Sequence, residues 1–374
     1  MIFHCLGIPH TKSNDEYISC AYTQKVVKFC KMMFDRGHIV YHYGHEHSNV
    51  VCTEHVTVVS DEIFKKCYGY DHRNRLFDVR CDTEVYKEFH KNAIEEIKKR
   101  KTPFDFVLAF WGLGVKPVCD QFSDLIIIEP GIGYTCETFA RFKIFESYAI
   151  MNTSMVLHNP KSINACDFYS VVIPNYFDSN DFIYKNENEK DDFFLFIGRL
   201  VQDKGIYIAI ELANKLNIKL KVAGQGSIEG IENKNVEFIG YLDKESRKDL
   251  MSRAKCAIIP SLYNEPFGGV QIECLLSGTP TITTDFGAFT ENNIHGVTGY
   301  RCRTFGQFTW AVQNIYKIKS DNCRKWGEQF LIENVAPMYE EYFQNVLNIY
   351  TDNGWYTPKD PETQGWSHIG ELIL

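Results

Sequence analysis

Two carboxylates, Glu265 and Glu273, stand eight residues apart around a Phe-Gly-Gly turn in the segment EPFGGVQIE. The apolar run CAIIPS before it reads as a buried strand, and Val270 to Leu276 after it reads as a helix. A strand, a glycine turn and a helix start leave bare backbone N–H groups at the edge of an α/β sheet. With the helix dipole, such groups attract anions such as phosphate. Carboxylates repel phosphate, so Glu265 and Glu273 are suited instead to accepting hydrogen bonds from hydroxyls, as on a sugar or a ribose. Phosphate and a polyhydroxylated ring in one pocket describe a nucleotide sugar. A plainer reading fits the same spacing: Glu265 as a charge at a helix N-terminus and Glu273 as a solvated surface residue.

A second pair of charges, Arg199 and Lys204, follows an apolar strand in FIGRLVQDKGI. A planar guanidinium fork and a point charge beyond a glycine turn suit a diphosphate at the carboxyl end of a parallel sheet. Taken alone, the two cations fit a solvent-facing helix start equally well. The G-x-G loops at Gly112–Gly114, Gly131–Gly133 and Gly224–Gly226 lack the full G-x-G-x-x-G with an acid some 20 residues on, which argues against a nicotinamide-type site. No Gly-Lys-Thr/Ser loop is present. His42, His45 and His47 cluster in HYGHEHS, but H-x-x-H-x-H does not present a zinc face, and no metal site is expected.

Composition narrows the class. The net charge of −8 over 374 residues disfavours a whole-surface nucleic-acid binder, though it does not exclude a nucleic-acid acceptor in a local cleft. The basic run Lys98–Lys101 ends an expected helix, where it complements the dipole. Thirteen scattered cysteines without a C-x-x-C pair, no charged-then-apolar leader and no bilayer-length apolar run read as a reducing, cytoplasmic setting.

The elements that would position these groups alternate. IFHCLG, HIVYHYG, HVTVVS, FDFVLAF and DLIIIEPGIGY read as strands. Tyr22, Val26, Phe29 and Met33 mark a helix over Glu16–Gly37, and Thr83 is placed to cap a helix whose face is Val85, Phe89, Ala93 and Ile97. The acidic stretch KNENEKDD has no hydrophobic period, so a linker is expected over Ile173–Asp192. The pattern then restarts with FFLFIGRL, a helix at Ile206–Leu216, IKLKVAG, VEFIGYL, CAIIPS and TPTITTD. Apolar strands alternating with helices imply parallel sheets covered on both faces. A final helix carries the stripe Tyr339, Phe343, Val346 and Tyr350, which needs a partner surface.

The series IGRLVQDKG, VAGQGS, EPFGGVQIE and GTPTITTDFGAFTENNIHGVTGY resembles, in order and spacing, the donor domain of retaining glycosyltransferase family four, over residues 193–320. The resemblance implies the α/β GT-B fold, two Rossmann-like doubly wound domains facing a cleft. It implies an acceptor-side domain at 1–175, a nucleotide-sugar domain at 176–334, and a helix and tail at 335–374 crossing back to the first. Arg199 and Lys204 would hold the diphosphate beside Gly198, and Glu265 would bind hydroxyls of the transferred sugar. Backbone N–H groups at Phe267 and Gly268 would touch the sugar, and those at Gly269 and Val270 the distal phosphate. Glu273 would accept from the ribose. Gly224, Gly226 and Ser227, with Gly240, Tyr241 and Leu242, would flank the base. The family often carries a Gly-rich first loop and a crevice histidine. Here the first loop is GIPHTKSNDEY, and His10, Thr11, Glu129, Gly131 and Tyr134 are the candidates on that side, with core or loop roles equally open.

The implied activity is retaining, metal-independent transfer of a hexose from a UDP- or GDP-sugar to a hydroxyl of a carbohydrate, lipid-linked or other acceptor. No cofactor is expected beyond the nucleotide sugar itself. The alternatives are a GT-B nucleotide-sugar epimerase, for which no acid/base pair stands out, and a non-catalytic nucleotide-sugar binding protein.

Overall fold

The computed structural model describes residues 1–69, 72–73, 77–134, 137–158, 168–228, 234–351 and 355. Two parallel sheets form, one in each of two units. One unit gathers the chain up to Tyr176, apart from Asp71–Leu76, together with Ile332 onward; the other gathers Phe177–Leu331.

The first sheet is built from β1 (Ile2–Leu6), β2 (Ile39–His45), β3 (Glu54–Val59), β4 (Phe106–Ala109), β5 (Ile126–Ile132), β6 (Phe142–Phe145) and β7 (Ser170–Val172), in the order β3-β2-β1-β4-β5-β6-β7. Its helices are α1 (Ala21–Asp35), α2 (Asp61–Tyr68), α3 (Glu84–Arg100), α4 (Lys116–Cys119) and α5 (Tyr148–His158). Every residue of β4 is buried, because helices cover both faces. Successive side chains divide between the layers. Phe3, Cys5, Phe106 and Leu108 pack with Phe29 and Met33 of α1, whereas Leu6, Val107 and Ala109 pack with Phe89 and Ala93 of α3. The helix expected from Glu16 begins at Ala21, after a short turn capped by Asn14. Thr83 stands at the N-cap of α3, but its hydroxyl meets that of Tyr68 at 3.0 Å instead of a helix N–H. The short strands β6 and β7 carry no alternation that marks them in the sequence.

The second sheet holds β8 (Phe194–Ile197), β9 (Leu220–Ala223), β10 (Val236–Gly240), β11 (Cys256–Ile259), β12 (Thr281–Thr284) and β13 (Gly299–Cys302), ordered β10-β9-β8-β11-β12-β13. Its helices are α6 (Ile206–Leu216), α7 (Lys244–Arg253), α8 (Gly269–Leu276), α9 (Phe289–Asn292), α10 (Phe305–Asn314) and α11 (Ser320–Glu328). Of the stretch expected as a linker, Ile173–Tyr176 belongs to the first unit and the remainder is anchored to this one. Lys190 Nζ donates to the carbonyls of Ser252 and Ser277 and to Thr279 Oγ1, all within 2.9 Å. Burial there lowers the Lys190 pKa to about 8.

The last described helix, α12 (Ile332–Tyr350), lies in the core of the first unit, although it follows the second in sequence. Tyr339, Phe343 and Val346 are fully buried there, with the Phe343 ring 4.9 Å from Phe3 and 5.1 Å from Phe106.

Both sheets reverse direction of growth once. In the first unit the switch falls between β1 and β4, and in the second between β8 and β11. At such a point the loops leaving the strands' carboxyl ends diverge and open a crevice.

Candidate functional site

In the second unit, the loops leaving β8, β9 and β10 are stitched together by their backbones. Gly198 N donates to Ala223 O, Leu200 N to Gln225 O and Gly224 N to Gly240 O, at 2.8–3.0 Å. Gly224 has φ +143°, and a Cβ there would overlap the Gly198 carbonyl oxygen. Only glycine lets these two loops close on each other. Gly226 and Ser227 continue outward, exposed, while Tyr241 and Leu242 are half-buried between β10 and α7.

Across the switch, Leu262 N donates to Asp203 O at 2.7 Å and ties the loop after β11 to the loop after β8. This brings Lys204 and Glu265 together. Lys204 Nζ lies 2.9 Å from Glu265 Oε2 and 3.1 Å from Oε1. The Glu265 carboxylate also accepts from Tyr263 OH at 2.8 Å and from Ser261 Oγ at 2.9 Å. Lys204 donates in turn to the Tyr263 hydroxyl. Burial, and then the charge of Glu265, push the Tyr263 pKa up, while Arg199 acts on the same hydroxyl in the opposite sense. Arg199 itself is exposed. The two groups assigned by resemblance to diphosphate and sugar thus pair with each other.

The turn after Glu265 is held from behind. Glu265 O accepts from Ala288 N at 2.9 Å, and Phe267 O from the Asn292 amide at 2.6 Å. Gly268, at φ +81°, is the N-cap of α8 and offers no side-chain cap; a Cβ there would stand 2.6 Å from a Phe289 ring carbon. No acidic residue lies in the first turn of α8. The Gly269 and Val270 N–H groups therefore belong to a helix start with no side-chain cap and no acid in its first turn, and its dipole favours an anion. One turn on, Glu273 pairs with Arg247 of α7.

Sequence reasoning overlooks Ser261, Tyr263, Arg247 and Asn292. A serine and a tyrosine at the end of a strand, or an arginine in a polar helix, carry no pattern of their own. They acquire a role only because β11 neighbours β8 and α7 neighbours α8.

In the first unit the candidates form separate clusters. His10, after β1, is 3% exposed; its Nδ1 meets Tyr86 OH at 2.9 Å, and that hydroxyl accepts from Trp111 Nε1 at 2.7 Å. Burial outweighs the attraction of Asp78 and lowers the His10 pKa to about 4, so the ring is neutral. Thr11 Oγ1 meets Thr23 Oγ1 at 2.5 Å. The Glu129 carboxylate accepts from the Phe139 and Ala140 N–H groups and from Tyr134 OH, at 2.8–2.9 Å. Burial raises its pKa against those bonds. Glu129 fixes the Tyr134 loop and faces inward to it. Gly131 O accepts from Lys25 Nζ at 2.9 Å, and buried Lys25 pairs with Glu146. The Tyr22 ring bridges the clusters, 5.2 Å from Trp111 and 6.0 Å from Tyr134.

The histidine cluster is engaged internally. His42 meets His55 at 2.9 Å and Ser13 at 3.0 Å, and His45 Nδ1 accepts from His47 N. Glu46, His47 and Asp61 bring ligand atoms within 4.8 Å of one another, but Lys12 and Lys65 already pair with Asp61.

Comparison with known proteins follows the same division. Residues 178–330 match the model of the Glycosyl transferases group 1 family. Over 185 residues the chain is 30% identical to an uncharacterized glycosyltransferase, MJ1607, of Methanocaldococcus jannaschii; the match covers 43% of this chain and 45% of that protein. The chain thus aligns with less than half the length of that curated relative. Sucrose-phosphate synthase from Thermosynechococcus elongatus superposes with a TM-score of 0.66 at 16% identity, covering 93% of this chain and 99% of that one. Anabaena Alr3699/HepE, solved in complex with UDP and glucose, gives 0.64 at 14% identity, covering 92% and 99%. At these identities the likeness is one of fold, and that fold is GT-B, with its two parallel-sheet α/β domains. Residues 178–330, nearly all of the second unit, thus carry the similarity to the Glycosyl transferases group 1 family.

Proposed function

We propose that this chain is a retaining glycosyltransferase that moves a hexose from a nucleotide-diphosphate sugar, UDP- or GDP-linked, to a hydroxyl of a carbohydrate or lipid-linked acceptor. The observation that carries the reading is the meeting of Lys204 and Glu265 across the β8/β11 switch, beside the uncapped start of α8. Cations, a carboxylate and free N–H groups in one place suit a diphosphate joined to a polyhydroxylated ring. The UDP and glucose complex of the fold neighbour HepE gives the same direction.

In this mechanism the anomeric C–O bond breaks with its electron pair passing to the diphosphate. Arg199, Lys204 and the Gly269 and Val270 N–H groups stabilise the added negative charge, with no metal required. Glu265 orients the sugar through its hydroxyls, and Phe267 and Gly268 support it through their N–H groups. Glu273, with Arg247 beside it, serves the ribose, and the turns at Gly224–Ser227 and Gly240–Leu242 flank the base. The acceptor oxygen attacks from the face the diphosphate leaves, and its proton passes to the departing phosphate oxygen, so configuration is retained. The first unit supplies the acceptor side, and the whole reaction is cytoplasmic. Among the described residues the cysteines are free thiols and no helix is long and apolar enough to cross a membrane.

The test is incubation with UDP-, GDP- and ADP-hexoses and a panel of glycan and lipid-linked acceptors, with and without EDTA. Acceptor-dependent release of nucleoside diphosphate, and a product of unchanged anomeric configuration by NMR, are expected. An inverted product would overturn the mechanism, and no release with any donor would overturn the activity.

A further inference from the structure

A cation that must hold a diphosphate is here already paired with a carboxylate. Lys204 and Glu265 are mostly buried, with side-chain exposures of 19% and 10%. A buried carboxylate stripped of its cation is costly unless other donors replace it. Those donors are in place: Tyr263 OH serves Oε1 and Ser261 Oγ serves Oε2, one hydroxyl to each oxygen. Ser261 is itself fully buried, and its carbonyl is fixed by Thr284 Oγ1 at 2.8 Å. The Tyr263 ring lies under the ammonium, 4.7 Å from centroid to Nζ, so the side chain touches both partners of the ion pair.

We propose that Ser261 and Tyr263 are positioning residues that keep Glu265 charged and in place while Lys204 moves from it to the donor diphosphate. Lys204 then has two stations, the carboxylate before the donor enters and the phosphates after, and the hydroxyl pair sets how readily it changes station. The inference rests on the donor-site reading above. Removing the Tyr263 hydroxyl leaves Glu265 with one fewer donor, which tightens its hold on the ammonium and withholds Lys204 from phosphate. Tyr263→Phe keeps the ring under the ammonium but also removes the hydroxyl that accepts from Lys204, so Ser261→Ala, whose hydroxyl donates to the carboxylate, isolates the donation to Glu265.

The experiment is calorimetric titration of the full chain with UDP, GDP and ADP and with the corresponding monophosphates. Wild-type protein should prefer the diphosphate of its base. Tyr263→Phe should lose roughly tenfold in diphosphate affinity with the monophosphate unchanged, and Ser261→Ala should move in the same direction. In a Lys204→Ala background the Tyr263→Phe change should have no further effect, because the cation it releases is gone. Equal losses for diphosphate and monophosphate, no loss for either, or a full additional loss in the Lys204→Ala background would each overturn the inference. Thermal unfolding of each variant separates these outcomes from misfolding; if Tyr263→Phe is unfolded, Ser261→Ala carries the same comparison. Wild-type protein that binds none of the three diphosphates would overturn the donor-site reading itself, and this inference with it.

Discussion

Lys204 has a single ammonium and two claims upon it, and its removal should separate them. Lys204→Ala should cut turnover by ~100-fold or more, the scale seen when one preorganised electrostatic group is lost, and Arg199→Ala should do likewise. A folded Lys204→Ala protein with wild-type kcat would take that residue out of the mechanism. Glu265 and Glu273 should divide by role. Glu265→Gln should lower kcat, because in the proposed mechanism it holds the ring whose charge changes, whereas Glu273→Gln should chiefly weaken free nucleotide binding by loosening the Arg247 contact. Equal loss of nucleotide affinity in both variants would contradict that division. At this scale the sequence is informative where spacing encodes a loop and uninformative where a partner comes from another element. The loops that carry Arg199, Lys204 and Glu265 are legible from IGRLVQDKG and EPFGG. The hydroxyls that surround Glu265, and the arginine that meets Glu273, are not.

Among the elements, the loop from Glu265 to α8 depends on a support that lies more than twenty residues downstream. Asn292, at the end of α9, is 6% exposed, and its amide is bonded to the Phe267 carbonyl. Asn292→Ala would leave that carbonyl without its donor, at a cost of ~1–3 kcal/mol, and would loosen the turn that presents the α8 N–H groups. Both a lower melting temperature and weaker diphosphate binding are expected. Loss of stability with unchanged diphosphate affinity would show the turn to be rigid without it. Element types were readable wherever apolar runs alternate with helical faces, since that alternation follows from burying strands on both sides. Strands β6 and β7 were not: in β6 an exposed-type residue, Lys143, interrupts four residues, so pairing with β5 and β7 supplies what pattern cannot. Glu129 shows the complementary case. A carboxylate inside an apolar run reads as a site candidate or a core residue alike, and only the fold reveals that two N–H groups and Tyr134 engage it.

For the whole molecule, the first unit should be the acid-sensitive one. His10 and His42 are buried neutral, with pKa values lowered by burial from 6.5 to about 4 and about 3. Below pH 6.5 the unfolded chain takes up protons that the folded chain refuses, so stability falls as pH drops toward 4. For His10 alone the drop from 6.5 to about 4 amounts to about 3 kcal/mol, lost in full only below the lower value. Glu129 acts in the opposite sense, since its raised pKa favours the folded state as pH falls. Comparing wild type with His10→Gln isolates the histidine: the variant's melting temperature should fall less steeply between pH 6.5 and 4.5, and parallel curves would refute the assignment. Phe343→Ala in α12 should cost ~3–5 kcal/mol by opening a cavity beside Phe3 and Phe106. Hydrogen exchange should quicken in the first unit and remain unchanged over 177–331.

Because α12 completes the core of the first unit, the order in which the chain is made differs from the order in which it can finish folding. A ribosome delivers β1 through β7 long before Val335 to Val346 emerge, and domains fold as they become complete. The unit encoded in between, Phe177–Leu331, is complete before α12 emerges and should reach its native state while the earlier one still waits with apolar surface bare. A nascent chain arrested before Ile332 should therefore carry a protease-resistant C-terminal half behind a chaperone-bound, protease-sensitive N-terminal half.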